Sequence, residues 1–368
     1  MLKLLSNTHI YLGFLLLISL SCSKNNSLNQ VDIQPIETQK KLSLIILLGD
    51  GLGVSQMTAA WNEQKFLNLQ RYPYSGLVLT QSADKFVTES GAANTAMMTG
   101  VKTNYGFLGM DVFQNPQETL YEYLRKEDYL TGIISTSFMA DATLAALFSH
   151  RTDRHAYEDI ILDYYHEYPD FAVAGGKKHF DNRGDQINLL DSLTSKGVQI
   201  VYQLNEINSA EKLPVLGLMH ESLPPYIIDG REDFLNQSSM KALELFDDHP
   251  FFLFVEGGHI DKAGHDMNIE KQISETLEFD KVAGMAMDYA KNKENVLVVI
   301  LSDHECGGLS LMPGIDNEYN PNYAANNHSG SMVAVFAYGP GAKNFTGIMD
   351  NTDIYEHLKT LIDLQINN

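Results

Sequence analysis

Between Leu42 and Gly339 the chain alternates short, continuously apolar runs with longer stretches whose apolar residues recur at helical spacing. The runs are LSLIILL (42–48), SGLVLTQ (75–81), YLTGIIS (129–135), FFLFVE (251–256), NVLVVILS (295–302) and SMVAVFAYG (331–339). A strand buried on one face alternates apolar with polar residues, whereas a continuous run implies burial on both faces. Between the runs, TDRHAYEDIILDYYHEY (152–168) and NIEKQISETLEFDKVAGMAMDYAK (268–291) predict helices, the second with Glu and Lys on its outer face. Two-face strands separated by helices predict an α/β fold, a central, mostly parallel sheet flanked by helices on both faces. No internal repeat or low-complexity tract interrupts it.

The first residues follow another pattern. MLKLLSNTHIYLGFLLLISLSC places one lysine before an apolar stretch and small residues before Cys22. Residues 1–21 predict a signal peptide, too short to span a membrane comfortably. Ser21-Cys22 resembles a bacterial lipoprotein cleavage site, which would leave Cys22 as a lipid anchor. The polar residues of 22–41 predict a tether, and 42–366 a single domain. The expected location is outside the cytoplasm, either periplasmic or anchored to the outer membrane of a Gram-negative bacterium.

Composition narrows the function classes. The chain has 368 residues, 44% of them hydrophobic, enough for a large buried core. Its formal net charge of -21 excludes nucleic acid as a specific partner, because phosphate backbones require clustered Lys and Arg. Cys22 and Cys306 are the 2 cysteines, so there is no disulfide framework to infer.

The candidate chemistry lies where the apolar runs end. LSLIILLGD ends at Asp50, FFLFVE at Glu256 and NVLVVILSD at Asp303, with His304 beside it. In open α/β sheets the site lies beyond the carboxyl ends of the strands, so these acids can converge. A single acid in such a place is an ordinary cap or turn residue; three of them, two with a histidine close behind, suggest metal ligands. Asp261 and His265, four residues apart, would share one face of a helical turn. His328 sits in a polar loop before the last long run. Asp141 and Thr143 follow the third run, where a helix N-cap is the alternative. Ser90, in VTESGAANTAMMTG, reads either as an N-cap or as a nucleophile facing the N–H groups of a helix N-terminus.

With these segments in view, the chain resembles the metal-dependent alkaline phosphatases of bacteria from about residue 42 to about residue 340. IILLGDGLG, VTESGAANTA with MTGVKTNYG, STSFMADATLAALFSHRTDR, VAGGKKHF, VEGGHIDKAGH, LSDHECGG and NHSGSMVAVFAYGPGA follow the family's order. The resemblance implies two zinc ions and one magnesium ion. Asp261, His265 and His328 would hold one zinc. Asp50, Asp303 and His304 would hold the second, beside a Ser90 nucleophile. Asp50, Asp141, Thr143 and Glu256 would hold the magnesium. Arg154 would grip two phosphate oxygens, and Lys262 would bind phosphate through water. The implied reaction is hydrolysis of phosphate monoesters through a phosphoserine, releasing inorganic phosphate.

The pattern has departures. Glu89 stands where the family has Asp before the serine. The stretch 305–327 is short where larger relatives carry a crown lobe near a dimer interface, so homodimer and monomer both remain open. The alternatives are a phosphodiesterase of the same superfamily, which usually lacks the third metal site, and a non-catalytic phosphate-binding lipoprotein. A sulfatase would need a modified Cys or Ser in a context that neither cysteine has.

Overall fold

A 10-stranded sheet carries the molecule. Its strands are β1 (Ser43–Gly49), β2 (Tyr74–Leu79), β3 (Leu130–Phe138), β4 (Phe171–Gly175), β5 (Gln199–Val201), β6 (Val215–Leu218), β7 (Phe251–Gly257), β8 (Val296–Leu301), β13 (Val333–Tyr338) and β14 (Gly347–Asp350). Outside it lie β9 (Glu305–Cys306), β10 (Leu309–Pro313), β11 (Tyr319–Tyr323) and β12 (His328–Ser329). The computed structural model describes residues 40–315 and 318–366. The expected signal peptide, Cys22 and the tether up to residue 39 lie outside them. Among the described residues no helix is long and apolar enough to cross a membrane.

The strand order is β14-β2-β13-β8-β1-β7-β3-β4-β6-β5. All the pairings are parallel except those of β13, which runs antiparallel to both β2 and β8. The mostly parallel sheet expected from the apolar runs is therefore observed. The three central strands β8, β1 and β7 are buried at every residue, while β2 and β13 alternate. Successive side chains of a strand point to opposite faces. Leu44, Ile46 and Leu48 thus join Phe252, Phe254, Leu297 and Val299 on one face, while Ile45 and Leu47 join Leu253, Val255, Val298 and Ile300 on the other. The first face packs on the helices Ser90–Thr99, Leu120–Lys126, Ala142–Phe148 and Asn351–Ile366. The second packs on Val54–Gln64, Phe234–Phe246 and Ile269–Ala290. Truncating a fully buried residue such as Leu253 to Ala costs about 2–5 kcal/mol in such a core.

Three elements differ from the sequence expectation. The helix predicted from residue 152 begins at Tyr157. Arg151 and Arg154 spend their backbone N–H groups on the carbonyls of Leu108 and Gly106, both at 3.0 Å, so the segment stays a loop. The flanking strands β4, β5, β6 and β14 were not among the apolar runs; at three to five residues each they are too short to show a period. Residues 305–329 form no large lobe: among the described residues they make a β10–β11 hairpin and the pair β9–β12, which sets His328 opposite Cys306.

Candidate active site

The register of the central strands brings the acids together. Leu48 of β1 is level with Glu256 of β7 and with Leu301 of β8, and Ser135 of β3 is level with Glu256. Asp50, Glu256 and Asp303 consequently leave the same edge of three adjacent strands. The turn after Asp50 requires Gly51, whose φ is +72°. A Cβ there would lie 2.9 Å from the Asp261 Cα and from the Cys306 Cβ. The Gly51 N–H donates to Asp303 Oδ1 at 3.1 Å and the His304 N–H to the same oxygen at 2.9 Å. Asp303 Oδ2 is left facing His304 Nε2 at 3.1 Å, and Asp50 Oδ1 lies 3.5 Å from that nitrogen.

The helix His259–His265 sets Asp261 and His265 on one face, as their spacing predicts. Asp261 Oδ2 lies 3.3 Å from His265 Nε2, and Oδ1 lies 3.3 Å from His328 Nε2. The Nδ1 of His265 faces the Asn326 carbonyl at 2.8 Å, and that of His328 the Thr88 carbonyl at 2.9 Å. A carbonyl accepts only, so each Nδ1 carries the proton and each Nε2 presents a lone pair to the shared centre. Asp261 belongs to two groups whose ligand atoms all lie within 4.8 Å of one another: Asp261, His265, Cys306 and His328, and Asp50, Asp261 and His304. Cys306 had no place in the sequence-derived ligand sets. Its position comes from the β9–β12 pairing, for which the local sequence has no signal.

Ser90 is the first residue of the helix Ser90–Thr99, and its N-cap is Glu89. This corrects the N-cap reading of Ser90, and it changes the electrostatics. Glu89 accepts from the N–H groups of Gly91 (2.8 Å) and Ala92 (2.7 Å), so these helix N–H groups are occupied rather than free for a ligand, and also from Gly106 (2.9 Å) in a later turn. Ser90 Oγ lies 3.3 Å from His304 Nε2. Glu89 also pairs with Arg154 Nη1, whose Nη2 is 3.4 Å from Asp141 Oδ1. The longer side chain in place of the family's Asp therefore caps the helix and holds the arginine at once.

Asp141 caps the helix Ala142–Phe148. Its other oxygen accepts from Ser137 Oγ at 2.5 Å and lies 3.2 Å from Lys262 Nζ. Glu256 accepts from Ser135 Oγ at 2.5 Å. The two serines, which order these carboxylates, were not singled out from sequence; they share one face of β3, the alternate positions of a strand. Asn94 Nδ2 donates to the Thr143 carbonyl at 2.5 Å and ties the Ser90 helix to this segment.

The charges show what the cluster lacks. Burial pushes Asp50 well above the usual carboxylate range, and Asp303 and Asp261 add to the push. Glu256 is pushed up to about 8 by burial and by Asp141, and Asp303 up to about 6, chiefly by burial. Burial holds His304 well below its ordinary value. Asp141 resists burial and stays down at about 2, because Lys262 and Arg154 flank it. With Glu89 on Arg154, six carboxylates thus face two fixed cations. Asp50 Oδ1, Thr143 Oγ1, Glu256 Oε1, Asp261 Oδ1 and Asp303 Oδ2 are buried without a hydrogen-bond partner. Hard oxygens and imidazole lone pairs in this arrangement fit divalent cations: nitrogen and carboxylate donors suit Zn²⁺, and an all-oxygen set suits Mg²⁺.

Comparison with known proteins shows the family. The alkaline phosphatase family model matches residues 41–323. Alkaline phosphatase 3 of Bacillus subtilis is 31% identical, covering 87% of this chain and 71% of its own length. The alkaline phosphatase of Escherichia fergusonii is 29% identical over 88% of this chain and 86% of its own. The solved alkaline phosphatase of the Antarctic bacterium TAB5 superimposes with a TM-score of 0.83 at 30% identity, over 88% of this chain and 98% of its own. A variant of that enzyme was solved with Mg bound.

Proposed function

Since the chain belongs to the alkaline phosphatase family, metal-dependent hydrolases of phosphate monoesters, we propose that Ser90 Oγ is its nucleophile and that the reaction passes through a phosphoserine. The observation that carries this is the approach of Ser90 Oγ to His304 Nε2, which also faces Asp50 and Asp303. Asp261, His265 and His328 would hold one zinc, Asp50, Asp303 and His304 a second, and Asp50, Asp141, Thr143 and Glu256 a magnesium. Bound there, the cations supply Lewis acidity to the attacking and leaving oxygens and offset the buried carboxylates.

The chain's own groups do the rest. Ser90 Oγ forms a bond to phosphorus as the ester oxygen departs, and water later breaks the phosphoserine to release phosphate. Arg154 presents a planar fork suited to two phosphate oxygens. Glu89 keeps that fork oriented, and Lys262 adds a second positive charge, held up by Asp141, Asp261 and Asp50 against burial. Phosphoryl transfer depends on such positioning and charge matching more than on covalent assistance. We also propose export, with Cys22 as lipid anchor, on the strength of the apolar leader.

The test is hydrolysis of 4-nitrophenyl phosphate against bis-4-nitrophenyl phosphate at alkaline pH, after chelation and after return of zinc and magnesium. A strong monoester preference, lost on chelation and restored only by both metals, is expected. Ser90→Ala should lower kcat by roughly 10³-fold or more while metal still binds. A diester preference, or indifference to magnesium, would overturn the three-metal reading.

A further inference from the structure

Two exposed aromatic residues stand on loops that the structure knits to the nucleophile and to Arg154. Phe86 is 77% exposed and Tyr105 is 46% exposed. Burial of aromatic surface is favourable, so side chains left this open beside a reaction centre call for an explanation. Their loops are joined directly. The Ala83 N–H donates to the Thr103 carbonyl at 2.8 Å, and the Tyr105 N–H to Asp84 Oδ1 at 2.8 Å. The next residue, Gly106, donates to Glu89 Oε1 at 2.9 Å and accepts from the Arg154 N–H at 3.0 Å. Tyr105 is therefore fixed one residue from the pair that orients the phosphate fork. The Tyr105 phenol is raised by burial and then by Glu89, against Arg154 and with Asp261, so it lies within the field of the site.

Phe86 closes the other side. A Cβ on Gly330 would run into the Phe86 ring, so that ring rests on the backbone two residues beyond His328. Thr88, two residues beyond Phe86, accepts from His328 Nδ1. The two rings thus stand on segments that bond to His328 and to Arg154, and both segments are tied to the stretch that carries Glu89 and Ser90.

We propose that Phe86 and Tyr105 form a shelf for the alcohol portion of the substrate, selecting monoesters whose alcohol carries a flat π face, such as aryl or nucleoside monophosphates, over those of small aliphatic alcohols. The inference rests on the monoesterase reading above. Stacking on one aromatic side chain is sequence-tolerant and adds affinity without touching the phosphorus, so it should act mainly through KM.

The experiment measures kcat and KM for adenosine 5′-monophosphate, 4-nitrophenyl phosphate and glycerol 2-phosphate with the metal-loaded wild type, Tyr105→Ala and Tyr105→Phe. Tyr105→Ala should lower kcat/KM for the π-faced substrates by roughly 5- to 10-fold, through KM, and leave glycerol 2-phosphate within about twofold. Tyr105→Phe should keep wild-type values for all three. A loss confined to adenosine monophosphate or to the nitrophenyl ester still supports the shelf and places it far from or near to the ester oxygen. An equal loss for glycerol 2-phosphate, no loss at all, or failure of Tyr105→Phe to restore activity would overturn it. Absence of hydrolysis of all three monoesters by the metal-loaded wild type would instead bring down the underlying monoesterase reading.

Discussion

Arg154 and Arg231 are each held between two carboxylates, and the two settings differ in what else is near. Arg154 meets Glu89 and Asp141, and its side chain keeps 16% exposure. Arg231 meets Glu275 at 2.7 Å and also Glu278, gives Nη1 to the Pro225 carbonyl at 3.1 Å, and is fully enclosed. Unpartnered buried oxygens occur around both, Glu278 Oε1 in one and Glu256 Oε1 in the other, so they do not distinguish a site from a structural knot. Two things do. Several imidazole nitrogens and the Ser90 hydroxyl meet at the Arg154 cluster, whereas His259 near Arg231 is bonded to the Pro224 carbonyl, and of the two arginines Arg154 keeps exposed surface. Burial drives Glu278 up to about 8 against the pull of Arg231, as burial and Asp141 drive Glu256 up to about 8 in the other cluster, so a proton can meet part of the deficit in both, and the imidazoles are what set the Arg154 cluster apart. A buried charge cluster can thus be completed from within the chain or left for an imported cation.

Substituting the two arginines should separate these roles. Arg231→Ala is expected to have the largest effect, because it strands the buried Glu275 carboxylate without its cation and leaves Glu278 without its donor. The loss should be about 3–5 kcal/mol, a large part of a typical total stability, read as a lower midpoint in denaturant unfolding. An unchanged midpoint would dissolve the comparison. Arg154→Ala should leave that midpoint nearly in place while raising KM for monoesters roughly 10- to 100-fold and weakening inhibition by phosphate. If phosphate inhibits the variant as well as the wild type, Arg154 is directed elsewhere.

A pH series sharpens the account of the knot. Glu278 holds its proton up to about 8 in the fold and only to the ordinary 4.5 once unfolded. Between those values the unfolded chain releases a proton that the native chain keeps. This group therefore makes stability fall as pH rises from 4.5 to 8, with no further change above. Glu278→Gln cannot release a proton. Its melting temperature should match that of wild type near pH 5 and lie a few degrees above it at pH 8.5. Parallel melting curves across that range would show that Glu278 is not the proton holder.

How much of this was legible in the chain depends on the range of the interaction. The apolar runs at Ser43–Gly49, Phe251–Gly257 and Val296–Leu301 declare a doubly covered parallel sheet, because burial on both faces leaves no polar position to alternate with. The spacing of Asp261 and His265 declares a shared helical face. The acids at the strand exits declare a place for chemistry, because open α/β sheets present their sites at that edge. Other features have no local signature. The loop at 151–156 stays out of the helix because its backbone bonds to Leu108 and Gly106, about fifty residues earlier. Cys306 reaches the Asp261 group through a pairing with His328, over twenty residues away. Ser135 becomes a donor to Glu256 only because β3 lies beside β7.

Taken alone, the sequence determined the periodicities, the residue types and their order, and therefore the fold class and the set of groups available to bind metal and phosphate. These follow from backbone geometry and hydrophobic burial, which act over a few residues. Only the tertiary structure decided which of two similarly surrounded arginines keeps exposed surface, which carboxylates are buried close together, and which aromatic rings stay exposed on the segments bonded to His328 and Arg154. Those outcomes depend on distances between segments far apart in the chain, and electrostatics and contact are set by distance in space.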